Sequence, residues 1–282
     1  MITTQARVFS MLGTFAKYVV LVLGAALMVL PFFWMINASF MTSGEIQAQP
    51  PVWIPSQLRI QNYTELLDAL PFGRMYLNSL FVTITTVIGV LFTSSLAGFA
   101  FAKYQFPGRQ LLFYALLATL MIPFFVTLIP VFFIVRQLGW INSFQGVIVP
   151  GLVSAYGIFL MRQFIVSIPD ELLDAARIDG ASEPLIYARI VVPLITPALA
   201  TLGTFTFIGT WNAFLWPLLI ITDRELMTVP LGLNSLRTFA AEARSLNLLM
   251  SGTTISVLPA LILFLFLQRY FIQGIALTGL KG

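Results

Sequence analysis

Six stretches of this chain run without a charged side chain for longer than a bilayer is thick. They are residues 18–44, 75–102, 110–135, 137–161, 190–222 and 245–268, and they span 24 to 33 residues each. About 20 apolar residues, rising 1.5 Å apiece, carry a helix across the hydrocarbon layer. Each stretch is therefore read as one membrane-spanning helix, near 17–37, 76–101, 111–135, 144–161, 191–221 and 249–270. The runs are continuous rather than alternating in ten-residue segments, which excludes a β-barrel. The first is too long for the apolar region of a cleaved signal peptide and ends without a small-x-small site, so it is read as a retained span.

Composition narrows the function classes. Of 282 residues, 59% are apolar and 9% charged, against about 25% charged in soluble domains, and the mean hydropathy is +0.93. Disorder, a disulfide scaffold and a soluble enzyme are all excluded. The chain has neither cysteine nor histidine, so zinc–thiolate sites, thiol nucleophiles and imidazole chemistry are excluded too. A pI near 9.6 invites a nucleic-acid reading, but the net charge is only +4, and basic loops beside a membrane account for it. Membrane lipid, not nucleic acid, is the expected surround.

The charge-free intervals also speak to energy. A proton- or sodium-coupled carrier places an ionisable residue at membrane depth, and these six intervals contain none. An ion-coupled secondary transporter and an intramembrane enzyme are the rival classes. Neither finds its intramembrane charge or catalytic pair here, so the energy for any transport comes from outside the spans.

Six spans place both termini on one side. With the termini inside, the inner segments hold nine basic residues and the outer ones six. The short 102–110 loop, with Lys103 and Arg109 and no acid, favours the same orientation. Pro31, Pro123, Pro130, Pro150, Pro193, Pro197, Pro217 and Pro259 fall in the spans. Each removes a backbone donor; packing irregularity and kinks that shape a pathway are both open readings.

The inner stretch Arg162–Arg189 holds eight charges. Ser167 suits a helix cap, Pro169 a first turn, Asp170, Glu171 and Asp174 the positive end of a helix, Arg177 the negative end, and Gly180 a left-handed stop. Ile168, Leu172 and Ala176 recur at i, i+4 and i+8 as an apolar stripe. A second short helix is expected from Ser182 towards Ile190, with Pro193 opening the fifth span. Ala175 and Ala176 keep the first helix slim enough to enter a groove on another protein. On these residues alone, an ordinary solvated loop is an equal alternative.

Asp174-Ala175-Ala176, three residues, Gly180, nine residues, Ile190, one residue and Val192-Pro193 resemble the EAA loop, EAA-x3-G-x9-I-x-LP, of binding-protein-dependent ABC importer permeases. Asp174 for Glu and Val192 for Leu are the two departures, both conservative. Residues 120–150 and 157–182, the WNAFLWPL of 211–218 and the terminal GIALTGLKG of 274–282 are similar to carbohydrate importer permeases of the MalG-like kind. The resemblance covers most of the chain from about residue 60 onward.

It implies an all-α membrane protein with six transmembrane helices, the MetI-like fold of type I ABC importers and cytoplasmic coupling helices. One permease domain would fill 1–282, with its core at about 75–272 and the coupling loop at about 162–193. The implied ATPase-docking residues are Asp170, Glu171, Asp174, Ala175, Ala176, Asp179, Gly180, Ile190 and Pro193. The implied partners are a second, homologous permease in a heterodimer, two ABC ATPase subunits that use ATP and Mg, and an extracytoplasmic sugar-binding protein. This chain itself would hold no cofactor and hydrolyse nothing, in a bacterial inner membrane with both termini cytoplasmic. A sugar is the implied cargo, and glycerol phosphate or another polyol is the alternative.

Sugars need hydrogen-bonding groups and flat apolar faces, which makes Asn78, Thr206, Trp211, Asn212 and Trp216 the substrate-path candidates; interface anchoring and helix–helix hydrogen bonding are the competing readings. Relatives by resemblance often carry an acid after Trp-Asn, where this chain has Ala213. The outer segment Thr228–Leu246 is the candidate contact for the binding protein. The Asn62-Tyr63-Thr64 triplet matches a glycosylation site by chance. Gly274, Gly279 and Lys281 do not make a phosphate loop, because Leu280 separates the second glycine from the lysine.

Overall fold

The computed structural model describes the backbone of residues 2–240 and 246–279, and the side chains of 13–236 and 246–268. Among these residues all regular structure is helical. In chain order the helices are α1 (Ile2–Ala38), α2 (Ser43–Ile46), α3 (Gln61–Ala69), α4 (Phe72–Lys103), α5 (Arg109–Thr119), α6 (Phe124–Gln137), α7 (Phe144–Ile148) and α8 (Ala155–Val166). There follow α9 (Asp170–Ile178), α10 (Glu183–Ile186), α11 (Val192–Leu194), α12 (Thr196–Trp211), α13 (Leu215–Ile220), α14 (Val229–Ala240) and α15 (Leu246–Gly279).

Three helices are long and apolar enough to cross a membrane unbroken: Gly13–Ala38 of α1, all of α4, and Leu246–Gln268 of α15. The other three expected spans are bent pairs. Arg109–Thr119 and Phe124–Gln137 meet at 102°, Phe144–Gly151 and Ala155–Val166 at 41°, and Glu183–Leu194 and Thr196–Trp211 at 78°. Counted as one span per pair, the total is six. The expectation of unbroken helices at 111–135, 144–161 and 191–221 is therefore corrected.

Proline explains where they break. Pro123 is extended (φ −61°, ψ 142°) and forces α6 to start afresh. Pro193 cannot donate to the carbonyl four residues back, and the chain widens into a π-helical turn over Tyr187–Val191 just before it. Beyond Ile195, Pro197 sits in the first turn of α12, so Pro197 rather than Pro193 opens that helix. The fifth span stops again at Asn212, before α13.

The chain divides into two compact units, residues 1–70 with 233–257 and residues 71–232 with 258–282. In the first unit, α1 exposes its side chains on every face from Gly13 to Phe33, as a helix immersed in lipid does. The segment after α1 is ordered by a buried polar network around Asn62, which is fully inaccessible. Its Nδ2 donates to the carbonyls of Ser39 and Met41, each at 2.9 Å, and its Oδ1 accepts from Asn247 Nδ2 at 2.9 Å. Asn247 Oδ1 in turn accepts from Ser43 Oγ at 2.9 Å. No oligosaccharide can reach Asn62 in the folded chain. Asn62→Ala removes the side-chain partner of the buried Met41 carbonyl and of the Asn247 amide, while the Ser39 carbonyl keeps its bond from Ser251 Oγ at 3.0 Å, and the expected cost is on the order of 3 kcal/mol. Thermal unfolding of the purified protein checks this, and an unchanged midpoint would remove the network from the list of stabilising features. Nearby, hydrogen bonds from Ser56 and the Thr42 backbone hold the Glu45 carboxylate down at about 2. Its contribution is complete above the usual carboxylate range and is lost as pH falls towards 2.

In the second unit, α4 packs along both α8 and α12. Small residues allow the close approach. A Cβ on Gly98 would lie 2.6 Å from the Met161 Cβ and 3.0 Å from the Arg162 backbone nitrogen, and one on Gly157 would lie 2.3 Å from Ser94 Oγ. Helices in lipid depend on such contacts, because burial from water does not drive them together.

Candidate functional site

The 162–193 segment folds as two short helices around a glycine, but with shifted boundaries. Ser167 closes α8 by donating to the Phe164 carbonyl at 2.7 Å, rather than capping the next helix. Pro169 directly precedes α9, whose first turn carries Asp170 and Glu171 and whose last turn carries Arg177, as the helix dipole favours. The apolar stripe is Ile168, Leu173 and Ala176; Leu172, expected on it, is exposed. Leu173 lies five residues from Ile168 and three before Ala176, and the register is settled by the core it meets. Ser182 precedes α10, and the helical run continues through the π turn into α11.

Gly180 has φ +83°. Its N–H donates to the Arg177 carbonyl at 3.0 Å, and the Ala181 N–H to the Ala176 carbonyl at 2.9 Å. These two bonds are the Schellman stop, which requires the left-handed residue.

The segment is fixed to the bundle by polar and apolar contacts. Arg177 links Asp174 within α9 (2.7 Å) to Glu183 across the turn (2.8 Å), and these carboxylates raise its already high pKa. The Tyr104 hydroxyl, just past α4, donates to Glu183 as well; burial, then the carboxylate, pushes its pKa up to about 12. Lys103, its side chain only 5% exposed, pairs with Asp170 at 2.6 Å and donates to the Ile168 carbonyl. Beneath these, Ile168, Leu173 and Ile186 share one core with Phe99 of α4, Ile165 of α8 and Leu202 of α12. A push on α9 therefore reaches three long helices through close-packed side chains.

Of the residues singled out in the loop, Asp170, Glu171, Asp174, Ala175, Asp179 and Gly180 face outward, while Ala176 and Ile190 rest against the core. Pro193 is exposed within α11. Leu172 and Ile178, 49% and 86% exposed, add apolar area to the acidic face. Sequence reasoning did not single out Tyr104 or Glu183 and used Lys103 only for topology. Nothing local to Tyr104 signals its role, because its partner lies 79 residues away.

A cavity of about 490 Å³ lies in the same unit, bordered by two of the three breaks in the bent spans and by the stop at the end of α12; the break at Ile195 is not part of its lining. Phe124 marks the α5–α6 break, Gly151 and Ser154 the one before α8, and Ala213 and Trp216 the one after α12. The freed Leu152 carbonyl accepts from Thr93 Oγ1 at 2.6 Å, the kind of compensation a broken span needs. Of the path candidates, Thr206 and Trp216 line the cavity, and the Trp216 Nε1 donates to the Gly146 carbonyl at 3.1 Å, which fixes its ring. Trp211 is buried, stacked on Phe207 at 5.9 Å and edge-on to Tyr76. Asn212 ends α12 and donates to the Ile208 carbonyl. Asn78 spends both amide hydrogens on the carbonyls of Glu225 and Met227.

Residues 94–277 match the family of binding-protein-dependent transport system inner membrane components. The chain belongs to this family. The permease is 36% identical, over 92% of its own length and 93% of the relative's, to the arabinooligosaccharides transport system permease protein AraQ of Halalkalibacterium halodurans. It is 34% identical, over 93% and 95%, to the sn-glycerol-3-phosphate transport system permease protein UgpE of Escherichia coli O157:H7. A bacterial ABC transporter involved in the import of the acidic polysaccharide alginate has a chain of the same fold, with a TM-score of 0.82 and 23% identity over 92% and 96% of the two chains. The permease is thus a multi-pass membrane protein, helical throughout its described regular structure, and a transport component. In the expected binding-protein contact, α14 occupies Val229–Ala240, and residues 241–245 lie outside the described residues. The side chains of the 274–282 tail lie outside them also.

Proposed function

We propose that this permease is one half of the transmembrane channel of an ATP-driven sugar importer. It pairs with a second, homologous permease and takes cargo from an extracytoplasmic sugar-binding protein. ATP and Mg are held by two separate ATPase subunits, and this chain holds no cofactor. The observation that carries the reading is α9, whose exposed face offers Asp170, Glu171, Asp174 and Ala175 to a groove while Leu173 beneath it joins the core of the spans.

In mechanism, closure of the ATPases on ATP displaces α9, the shared core passes the displacement to α4, α8 and α12, and the broken spans bordering the cavity change their alignment. The access route switches from one side to the other, and hydrolysis resets it. This is alternating access powered from outside the membrane, in keeping with spans that lack charge.

Two measurements test the reading. Affinity-tagged permease should co-purify with ATPase subunits, and uptake into vesicles should require ATP and persist when the proton gradient is collapsed. Uptake that follows the gradient and ignores ATP would refute it. Reporter fusions at Phe106 and Ala181 should read cytoplasmic and one at Gln57 extracytoplasmic; an extracytoplasmic Ala181 removes α9 from the ATPases' reach. A polyol phosphate is the second reading, favoured by the 34% identity to the glycerol-phosphate permease.

A further inference from the structure

Two side chains in the cavity are in an unusual state. The hydroxyls of Thr83 and Thr228 are buried, at 1% and 4% exposure, and neither has a hydrogen-bond partner. Both line the cavity. A buried hydroxyl without a partner is costly and rare, and one at a functional site calls for an external partner. The neighbouring hydroxyls differ. Ser79 Oγ accepts from the Val229 N–H at 2.8 Å and Ser154 Oγ from the Gly157 N–H at 3.0 Å, so each serves the backbone. Thr83 and Thr228 serve nothing in the chain.

The rest of the wall has a consistent chemistry. Thr86, Thr127, Thr206 and Thr210 add hydroxyls, Trp216 supplies a flat ring in a fixed orientation, and no charged side chain is among the described residues that line it. Hydroxyls that both donate and accept, beside an aromatic face, suit a solute whose own groups are hydroxyls and C–H faces. A phosphate would enter with its charge uncompensated by this wall, at a desolvation cost no hydroxyl recovers.

We infer that this chain itself holds a site for an uncharged, polyhydroxylated solute, in the cavity among its broken spans, with Thr83 and Thr228 as hydrogen-bonding groups and Trp216 as the stacking surface. The site discriminates against phosphorylated polyols. The inference rests on the importer reading above and deepens it, assigning solute contact to this subunit as well as to the pathway between subunits.

The test uses the intact complex, with its partner permease and ATPases, in nanodiscs. The chain has no native cysteine, so Ala213→Cys, in the cavity wall, creates a single thiol whose alkylation by methyl methanethiosulfonate is read by mass spectrometry of this chain. The probes are uncharged arabinotriose and maltotriose on one side and sn-glycerol 3-phosphate on the other. The expected result is that at least one trisaccharide slows alkylation in a saturable way and the phosphate does not. Thr83→Val and Thr228→Val, which keep shape but remove a hydroxyl, should each raise the half-protecting concentration about three- to tenfold, the worth of one neutral hydrogen bond. Neither variant should lower the thermal midpoint of the complex, since no internal bond is lost; a lowered midpoint would mean that the hydroxyls serve packing, and would overturn the assignment. Protection by the phosphate, protection by neither trisaccharide, or protection indifferent to both valines would overturn it too. Failure of the importer reading is separate: it appears as ATPase subunits absent from the purified complex before any probe is added.

Discussion

Gly180→Val should leave this permease in the membrane and paired with its partner permease, yet weaken its hold on the ATPase subunits by on the order of 5–150-fold. The residue stands at φ +83° in the stop of α9, with no atom within 4 Å of where a Cβ would go, so the damage is conformational and not steric crowding. A β-branched residue in that left-handed conformation costs about 1–3 kcal/mol. The loop relieves the strain by giving up the Ala181–Ala176 and Gly180–Arg177 bonds, which turns α9 away from the direction its acidic face needs. Docking must then restore the strained geometry, and its affinity falls by the corresponding factor. Gly139→Val is the matched control. Gly139 has φ +71° in the same kind of stop at the end of α6, with the Trp140 N–H donating to the Val135 carbonyl at 3.0 Å. It carries the same strain outside the 162–193 loop. ATPase pull-down and ATP-dependent uptake are the readouts. Full association and uptake in Gly180→Val, or equal loss in Gly139→Val, would remove the loop from the coupling role.

Gly98→Val should abolish accumulation of folded permease. Here the obstacle is packing. Any Cβ at this position meets the Met161 Cβ at 2.6 Å and the Arg162 backbone nitrogen at 3.0 Å, and backbone does not step aside as a flexible side chain does. Overpacking costs about 1–3 kcal/mol where neighbours can relax, and more is expected where α4 and α8 must separate. Separation also opens the core that α9 shares with α4, α8 and α12, so surviving protein should show uncoupled ATPase activity. Gly73→Ala, at an open position of α4 with nothing within 4 Å, is the control. Membrane yield and the thermal midpoint of the purified complex decide the matter. A wild-type midpoint in Gly98→Val would mean that α4 and α8 do not meet at this register.

The two sites were legible in the sequence to different degrees. The loop was readable because its determinants are local. A dipole-matched acidic start, a basic end, a glycine stop and paired alanines lie within eleven residues, and the motif spacing added specificity. The register of its apolar stripe was not readable, because Leu172 and Leu173 are adjacent and equally apolar, so only the core decides which of them turns inward. The path candidates were read less well. Trp211, Asn212 and Trp216 look alike along the chain, but α12 ends at Trp211 and the break before α13 sends Trp216 to the cavity while Trp211 stacks on Phe207. Asn78 offered a polar group in a span, and its amide was already committed to carbonyls 147 and 149 residues away.

By itself, the sequence determined that the chain is a helical membrane protein with six spanning stretches, that its spans carry no charge for ion coupling, and that one charged loop has the makings of a docking helix. These follow from the length of apolar runs and from the balance of charge and backbone conformation over a few residues, which need no knowledge of neighbours. Only the tertiary structure decided that three spans are broken, that two of those breaks and the end of α12 border one cavity, and that Thr83 and Thr228, 145 residues apart in sequence, both line it with unpartnered hydroxyls. A threonine in an apolar run bonds back to its own helix or waits for a partner, and the residue alone does not say which. That difference depends on what the fold brings within 3 Å, and the chain's order in sequence does not encode it locally.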